Sequence, residues 1–396
     1  MITMQIISNS KDYIHQYSEK FSGLLTKIFS KDINVCSEID EITESKKFYF
    51  FLNNDKSLKF ILPYYGNSHL LSYLLPTRLP SKIILVALKI LYRLRILRFL
   101  NNVFVFSITG FDDVNWQKYG WPQRNPPNLF ILIGTPKESQ NAIVFLDDEK
   151  EPKNSLILKF SINNVCNLKN EYISGRAIAS NPTSYIVFND EERYLTQKCA
   201  TGYRKIAELN DHHVDFLSGL IVSGNKKSGN HVKAHLQRGV ATLDKNHANY
   251  ASLMQQLIEP IRDSALFLEA HVHGDFSPFN IIYSQYPDKF SVIDWENADL
   301  NCLALSDLFN YVYIKDCLFI RKGSLDLDSF IYTMAQKYFL NVGHDITALE
   351  FYEYKIISVV TEFTARLQDA GTEDMYVRYL YGIMQNENKK NNLKFS

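Results

Sequence analysis

The sequence predicts an α+β protein built from two or three compact units. Three observations carry this. Short apolar runs bounded by turn residues crowd the first two hundred positions, as in 47–52 and 58–62 around Asn53, Asn54 and Asp55. Helical patterning dominates after Gly202, interrupted by strands near 270–294. The 396 residues, 46% apolar and 13% aromatic, exceed one ordinary domain and supply ample core.

Composition then narrows the classes of function. Lysine plus arginine and aspartate plus glutamate both total 43, so the formal charge is zero, which argues against a nucleic-acid partner. The five cysteines are odd in number, widely spaced and without a CxxC pair, so neither a disulfide framework nor a zinc knuckle is expected. A reducing, cytoplasmic setting fits this usage. Residues 1–10 show no basic region followed by an apolar run and a cleavage site, so no signal peptide is expected.

Taken in order, Ile6 and Ile7 suit a strand, 12–29 a helix, 47–52 and 58–62 a hairpin, and 103–108 a strand. Gly120, Trp121, Pro122, Pro126 and Pro127 mark a boundary. Beyond it, 129–133, 142–146 and 156–160 read as strands, 165–179 as a helix and 193–198 as a strand. The expected organisation is an accessory α+β region over 1–127, a small lobe over 128–199, a larger helical lobe over 200–385 and a flexible Asn- and Lys-rich tail over 386–396.

The stretch 82–100, KIILVALKILYRLRILRFL, is long enough to cross a bilayer but carries Lys89, Arg93, Arg95 and Arg98. Two readings stay open: a packed helix whose basic side chains reach water, and a helix lying on a membrane surface.

The strongest chemical signal is HVHGDFSPFNIIYSQYPDKFSVIDWE, 271–296. Asp275 and Asn280 stand five apart in a loop with Ser277 and Pro278, and two apolar strands follow around a turn containing Pro287 and Asp288. A hairpin centred near 287 sets Asn280 opposite Asp294, close enough to share one hard cation. One carboxylate, one amide and water suit Mg2+, which also takes oxygens from a substrate phosphate. Asp275, on the approach, is placed to accept a proton from an attacking hydroxyl.

This segment resembles the aminoglycoside phosphotransferase and choline kinase-like family, whose pattern is His-Gly-Asp, four residues, Asn, then Ile-Asp-Trp-Glu after a hairpin. The resemblance implies a two-lobed protein-kinase-like fold preceded here by the additional N-terminal α+β region. It implies Asp275 as catalytic base, Asn280 and Asp294 as Mg2+ ligands, His273 as the brace of the loop and Asp307 as the buried tie to the following helix. It covers 128–385, most firmly 270–310.

Such a fold makes demands upstream. A lysine is expected on the third strand of the small lobe, where Lys159 stands in SLILKFS, and its acidic partner on the next helix, where Glu171 follows in NVCNLKNEYISG. Backbone near Gln197 to Cys199 is expected to meet the adenine edge. The loop GTPKESQNA, 134–142, has one glycine rather than several; Gly134 and Ser139 are the expected phosphate contacts, and an ordinary hairpin loop is the competing reading.

His271, His273 and Asp275 also form H-x-H-x-D, the start of a zinc motif. Its usual final histidine is Phe276 here, and no later His or Cys cluster completes it. The expected function is transfer of the γ-phosphate of ATP, with GTP as alternative nucleotide, to a hydroxyl of a small molecule. A sugar or polyol, such as a cell-surface polysaccharide precursor, comes first. From residue 200 onward 24 acids face 19 bases, a weak excess for a polycationic acceptor, so choline, an amino alcohol or an aminoglycoside comes second. A catalytically idle nucleotide-binding scaffold is the alternative of another class. The expected location is cytoplasmic, with 82–100 as the candidate contact to the inner face of a membrane; oligomeric state is not legible.

Overall fold

The computed structural model describes residues 17–29, 31–37, 46–55, 57–74, 79–100, 102–123, 126–134, 140–148, 150–151, 154–162, 166–178, 185–200, 202–243, 245–284, 289–320 and 327–395. The expected strand at Ile6 and Ile7 and the turn at Pro287 and Asp288 lie outside them. The chain divides into two compact units, residues 1–176, 181–204 and 282–291 in one, and 177–180, 205–281 and 292–396 in the other.

Among the described residues the first unit is built on an antiparallel sheet of nine strands: β1 (Asn34–Ser37), β2 (Lys46–Leu52), β3 (Leu58–Pro63), β4 (Val103–Thr109), β5 (Asn128–Ile133), β6 (Asn141–Asp147), β7 (Leu156–Ser161), β8 (Tyr185–Asn189) and β9 (Tyr194–Lys198). Their spatial order is β1-β4-β2-β3-β5-β6-β7-β9-β8. The first four join the last five where Phe60 and Ile61 pair with Leu132 and Ile131. Among the described residues three helices accompany the sheet, α1 (17–29), α2 (Leu79–Arg93) and α3 (Cys166–Ala177).

The sequence KKFYFFL of β2 is apolar without alternation because both sides of the sheet are covered. Phe48 and Phe50 enter a core with Phe21, Leu25 and Phe29 of α1, where the rings of Phe21 and Phe50 stack at 5.2 Å. Tyr49 and Phe51 enter a second core with Leu70, Leu71, Tyr92 and Leu97. Trp116, Tyr119 and Trp121 are buried in the first core, and Tyr119 meets the ring of Tyr194 edge-on at 4.7 Å. Burial of such rings stabilises by about 1.5–3 kcal/mol each.

The second unit is mainly helical: α4 (Asp211–Ser218), α5 (Gly229–Ala241), α6 (Ala248–Ile258), α7 (Ser306–Lys315), α8 (Leu327–Leu340), α9 (Ala348–Ala370) and α10 (Met375–Phe395). A three-stranded sheet accompanies them, β10 (Ile221–Ser228), β11 (Leu266–Val272) and β14 (Asp299–Leu303), with β11 central. The strands β12 (Ile281–Tyr283) and β13 (Phe290–Val292), most of which belong to the first unit, form a separate ladder. Helix α9 starts with a capping box between Thr347 and Glu350 and buries residues on most of its circumference, including Phe351, Tyr354, Ile356, Val360 and Phe363.

Two expectations change. Residues 386–395, expected as a flexible tail, form the last turns of α10, where Glu387 is buried and its carboxylate accepts from the ammonium groups of Lys355 at 2.9 Å and Lys390 at 2.8 Å. Strands β8, β10 and β14 occupy stretches where no strand is expected from the sequence.

Candidate functional site

In the second unit, β11 ends at Val272 and the chain turns through Gly274 at φ +76°. A Cβ here would stand 2.1 Å from the Asn297 carbonyl oxygen, so only glycine fits. The turn is held from two sides. The carboxylate of Asp307, buried near the start of α7, accepts from the backbone N–H of His273 at 2.6 Å and of Gly274 at 3.0 Å. His273 is itself buried, with Nδ1 accepting from the Asp275 N–H at 3.2 Å and Nε2 lying 2.8 Å from the Ile293 carbonyl oxygen. An acceptor at Nδ1 puts the ring proton on Nε2, so one imidazole fastens the loop at 275 to the chain leaving β13. The ring also packs on Trp295, centroid to centroid 4.6 Å.

Asp275 is half-buried, and Asn280 donates from Nδ2 both to its Oδ2 and to its backbone carbonyl, each at 2.9 Å. Two acceptors on that side fix the amide orientation and turn Oδ1 of Asn280 the other way. The Ile293 N–H donates to the Asn280 carbonyl at 2.9 Å, which extends the β12–β13 ladder by one step. Asp294 then leaves the ladder in the left-handed region, φ +70°, ahead of a tight turn over Trp295–Asn297. Burial pushes the Asp275 carboxyl up to about 6; the Arg366 guanidinium opposes this, and the neighbouring Asp294 charge adds to it. Burial likewise pushes Asp307 up to about 7 against its two N–H donors.

In the first unit, Lys159 of β7 and Glu171 of α3 are both buried, and the ammonium donates to both carboxylate oxygens at 2.8 Å. Gly134 follows β5; its N–H donates to the Asn141 carbonyl at 2.8 Å and its carbonyl accepts from Gln140 Nε2 at 3.0 Å. Ser139 lies outside the described residues. Gln197 is buried within the sheet, paired with Ile157 on one side and Tyr185 on the other. Cys199 follows β9, its N–H donating to the Ser155 carbonyl at 3.0 Å, and burial pushes its thiol up to about 12.

Sequence reasoning missed Arg366 and Glu362 of α9. Arg366 Nη2 stands 3.6 Å from Asp275 Oδ1, and its Nε donates to Glu362 Oε1 at 2.7 Å. The only sequence signal is an ordinary i, i+4 acid–base pair, which most helices carry. Among the described residues no cluster of three or more His, Cys, Asp or Glu side chains is arranged to hold a metal.

No family model and no curated protein matches the chain. Several solved structures are similar to the chain at low identity. One is a structure described as a putative aminoglycoside phosphotransferase from Ralstonia eutropha, at 14% identity and TM-score 0.43, covering 67% of this chain and 96% of that one. Another is the choline kinase LicA from Streptococcus pneumoniae, at 14% identity and TM-score 0.45, covering 66% and 94%. A third is an ethanolamine kinase from Plasmodium vivax, at 14% identity and TM-score 0.39, covering 65% and 81%.

Proposed function

We propose that the chain is a phosphotransferase that moves the γ-phosphate of ATP to a hydroxyl of a small molecule. The observation that carries this is the loop carboxylate of Asp275, oriented by the Asn280 amide and raised to about 6. A base of that strength is mostly ionised at neutral pH yet close enough to it to accept a hydroxyl proton as the oxygen attacks phosphorus.

Asn280 Oδ1 and the Asp294 carboxylate are the hard oxygen donors that suit Mg2+, since the amide of Asn280 is already turned so that its nitrogen serves Asp275. When bound there, Mg2+ neutralises phosphate charge. His273 and Asp307 keep the loop in the shape that presents Asp275. Lys159, held by Glu171, supplies an ammonium for a nucleotide phosphate. Backbone near Gln197 and Cys199 is proposed for the adenine edge, and Gly134 with Ser139 for the phosphates.

A sugar or polyol is the acceptor we favour, because the weak acidic excess from residue 200 onward, 24 against 19, gives little attraction to a polycation. Choline, an amino alcohol or an aminoglycoside is the next acceptor class. The test is ADP release by the purified chain with Mg2+ and ATP or GTP, over a panel of sugars, polyols, amino alcohols and aminoglycosides. ADP formation that requires one acceptor class supports the reading and names the class. Nucleotide binding without turnover on any acceptor favours an idle scaffold instead.

A further inference from the structure

Helix α2 is apolar almost all round, and only one side of it is used within the first unit. Leu85, Leu88, Leu91 and Tyr92 pack on the core that contains Tyr49, Leu70 and Leu97, and the Tyr92 hydroxyl donates to the Pro63 carbonyl at 2.7 Å. On the other side Ile83, Val86, Ile90 and Leu94 are each more than half exposed, as is Ile84 on the packed side, and Phe99 just beyond is 72% exposed. At about 100° per residue, Val86, Ile90, Ile83 and Leu94 fall within an arc of about 80°. Of the sixteen large apolar side chains exposed among the described residues, eight lie between Tyr65 and Leu100. A concentration of this kind marks an interaction surface rather than ordinary scatter.

The charge around it is of one sign. Lys82 and Arg93, both exposed, run along the Val86 edge of the arc, and Arg95 and Arg98 follow at the end of the helix. Arg95 lies over the ring of the exposed Tyr65 at 4.6 Å, and Arg98 over the ring of Phe99 at 5.1 Å. Between Asp55 and Asp112 the sequence has eight Lys and Arg and no Asp or Glu. A second copy of the same face would set these cations against one another, so the charge pattern calls for an anionic partner that also accepts bare aliphatic and aromatic side chains.

We propose that this face docks on the surface of an anionic phospholipid bilayer, with the outer side of α2 and Phe99 entering the headgroup boundary and Lys82, Arg93, Arg95 and Arg98 meeting lipid phosphates. Among the described residues no helix is long and apolar enough to cross a membrane, and the 15 residues of α2 span only about 22 Å against a hydrocarbon core of about 30 Å. Its inner side is moreover committed to the protein core, so the helix lies in the interface plane. The inference rests on this surface alone and stands independently of the phosphotransfer reading.

The test is flotation of the full chain with vesicles of phosphatidylcholine alone and of about two parts phosphatidylcholine to one part phosphatidylglycerol. The expected result is binding to the mixed vesicles only, weakened by salt. It falls about a hundredfold when Lys82, Arg93 and Arg98 are replaced together by Gln, and at least as far in Ile83→Ser/Ile90→Ser/Leu94→Ser. Leu340→Ser, at an exposed apolar position of the second unit, should bind as the unaltered chain does. Leu94→Trp gives a readout that does not depend on a loss: its emission should shift to the blue with mixed vesicles and stay unchanged with phosphatidylcholine. The proposal is overturned by failure to bind mixed vesicles, by equal binding to both kinds, or by a dimer mass in solution that the triple Ser variant reduces to a monomer.

Discussion

Arg366 of α9 holds its Nη2 3.6 Å from Oδ1 of Asp275, while its Nε is engaged by Glu362. The loop carboxylate therefore sits between a cation that favours its ionised form and a burial that opposes it, and burial prevails at about 6. If Asp275 is the base, the rate should fall on acidification through about pH 6.

Replacing Arg366 by Met removes the opposing cation. The Asp275 pKa should rise further, and the acid limb of the kcat profile should move to higher pH by about one unit. A kcat profile measured from pH 5 to 9 checks this; an unmoved limb would separate Asp275 from the titration.

Asp307→Asn keeps the shape of the side chain but turns an NH2 toward one of two backbone donors, His273 or Gly274. The expected loss is about 1–3 kcal/mol for a buried donor without acceptor. The wild-type group also has a sign. Its folded pKa is raised to about 7 from an ordinary 3.8, so the folded state binds the proton more tightly and this group's contribution to stability declines as pH rises from about 4 to about 7. Denaturant unfolding at several pH values should show a flatter slope over that window in the Asn variant.

Lys159→Ala leaves the fully buried Glu171 carboxylate without its ammonium partner. A loss of about 3–5 kcal/mol is expected. The double variant Lys159→Met/Glu171→Leu should regain much of that stability without regaining nucleotide binding. Thermal unfolding alongside ATP titration distinguishes the two effects.

Gly274→Ala forces a side chain into φ +76° and against the Asn297 carbonyl. We expect a loss of about 2–4 kcal/mol and no turnover, because the turn that carries Asp275 cannot keep its shape. Unfolding midpoints and ADP release measured on the same preparation check this.

What the sequence revealed of the site followed distance along the chain. His273, Asp275, Asn280 and Asp294 fall within 22 residues, so turn chemistry and hairpin counting reach all of them. The expected pairing of Asn280 with Asp294 is shifted by one residue: Asn280 meets Ile293 through the backbone, and Asp294 lies past the ladder in a left-handed turn that no propensity announces. Arg366 was invisible because its approach to Asp275 depends on how α9 packs, a long-range matter. The same limit applies to the sheet. The runs in β2, β3 and β5 are apolar on both faces, so beyond the β2–β3 hairpin they announce strands without naming partners, and the pairing of Phe60 with Leu132 has no signature. Residues 386–395 looked like a solvated tail because Asn and Lys dominate them, yet one buried acid, Glu387, ties them to Lys355.

The proposed division of roles gives Asp275 the hydroxyl proton and Asp294 the cation. It is tested most directly by measuring Mg2+-dependent ATP binding and acceptor-dependent ADP formation together in Asp275→Asn and Asp294→Asn. Asp275→Asn should bind ATP as the unaltered chain does but turn over about 10²- to 10⁴-fold more slowly, whereas Asp294→Asn should lose Mg2+-dependent ATP binding. Equal loss of binding in both variants, or undiminished turnover in Asp275→Asn, would contradict it.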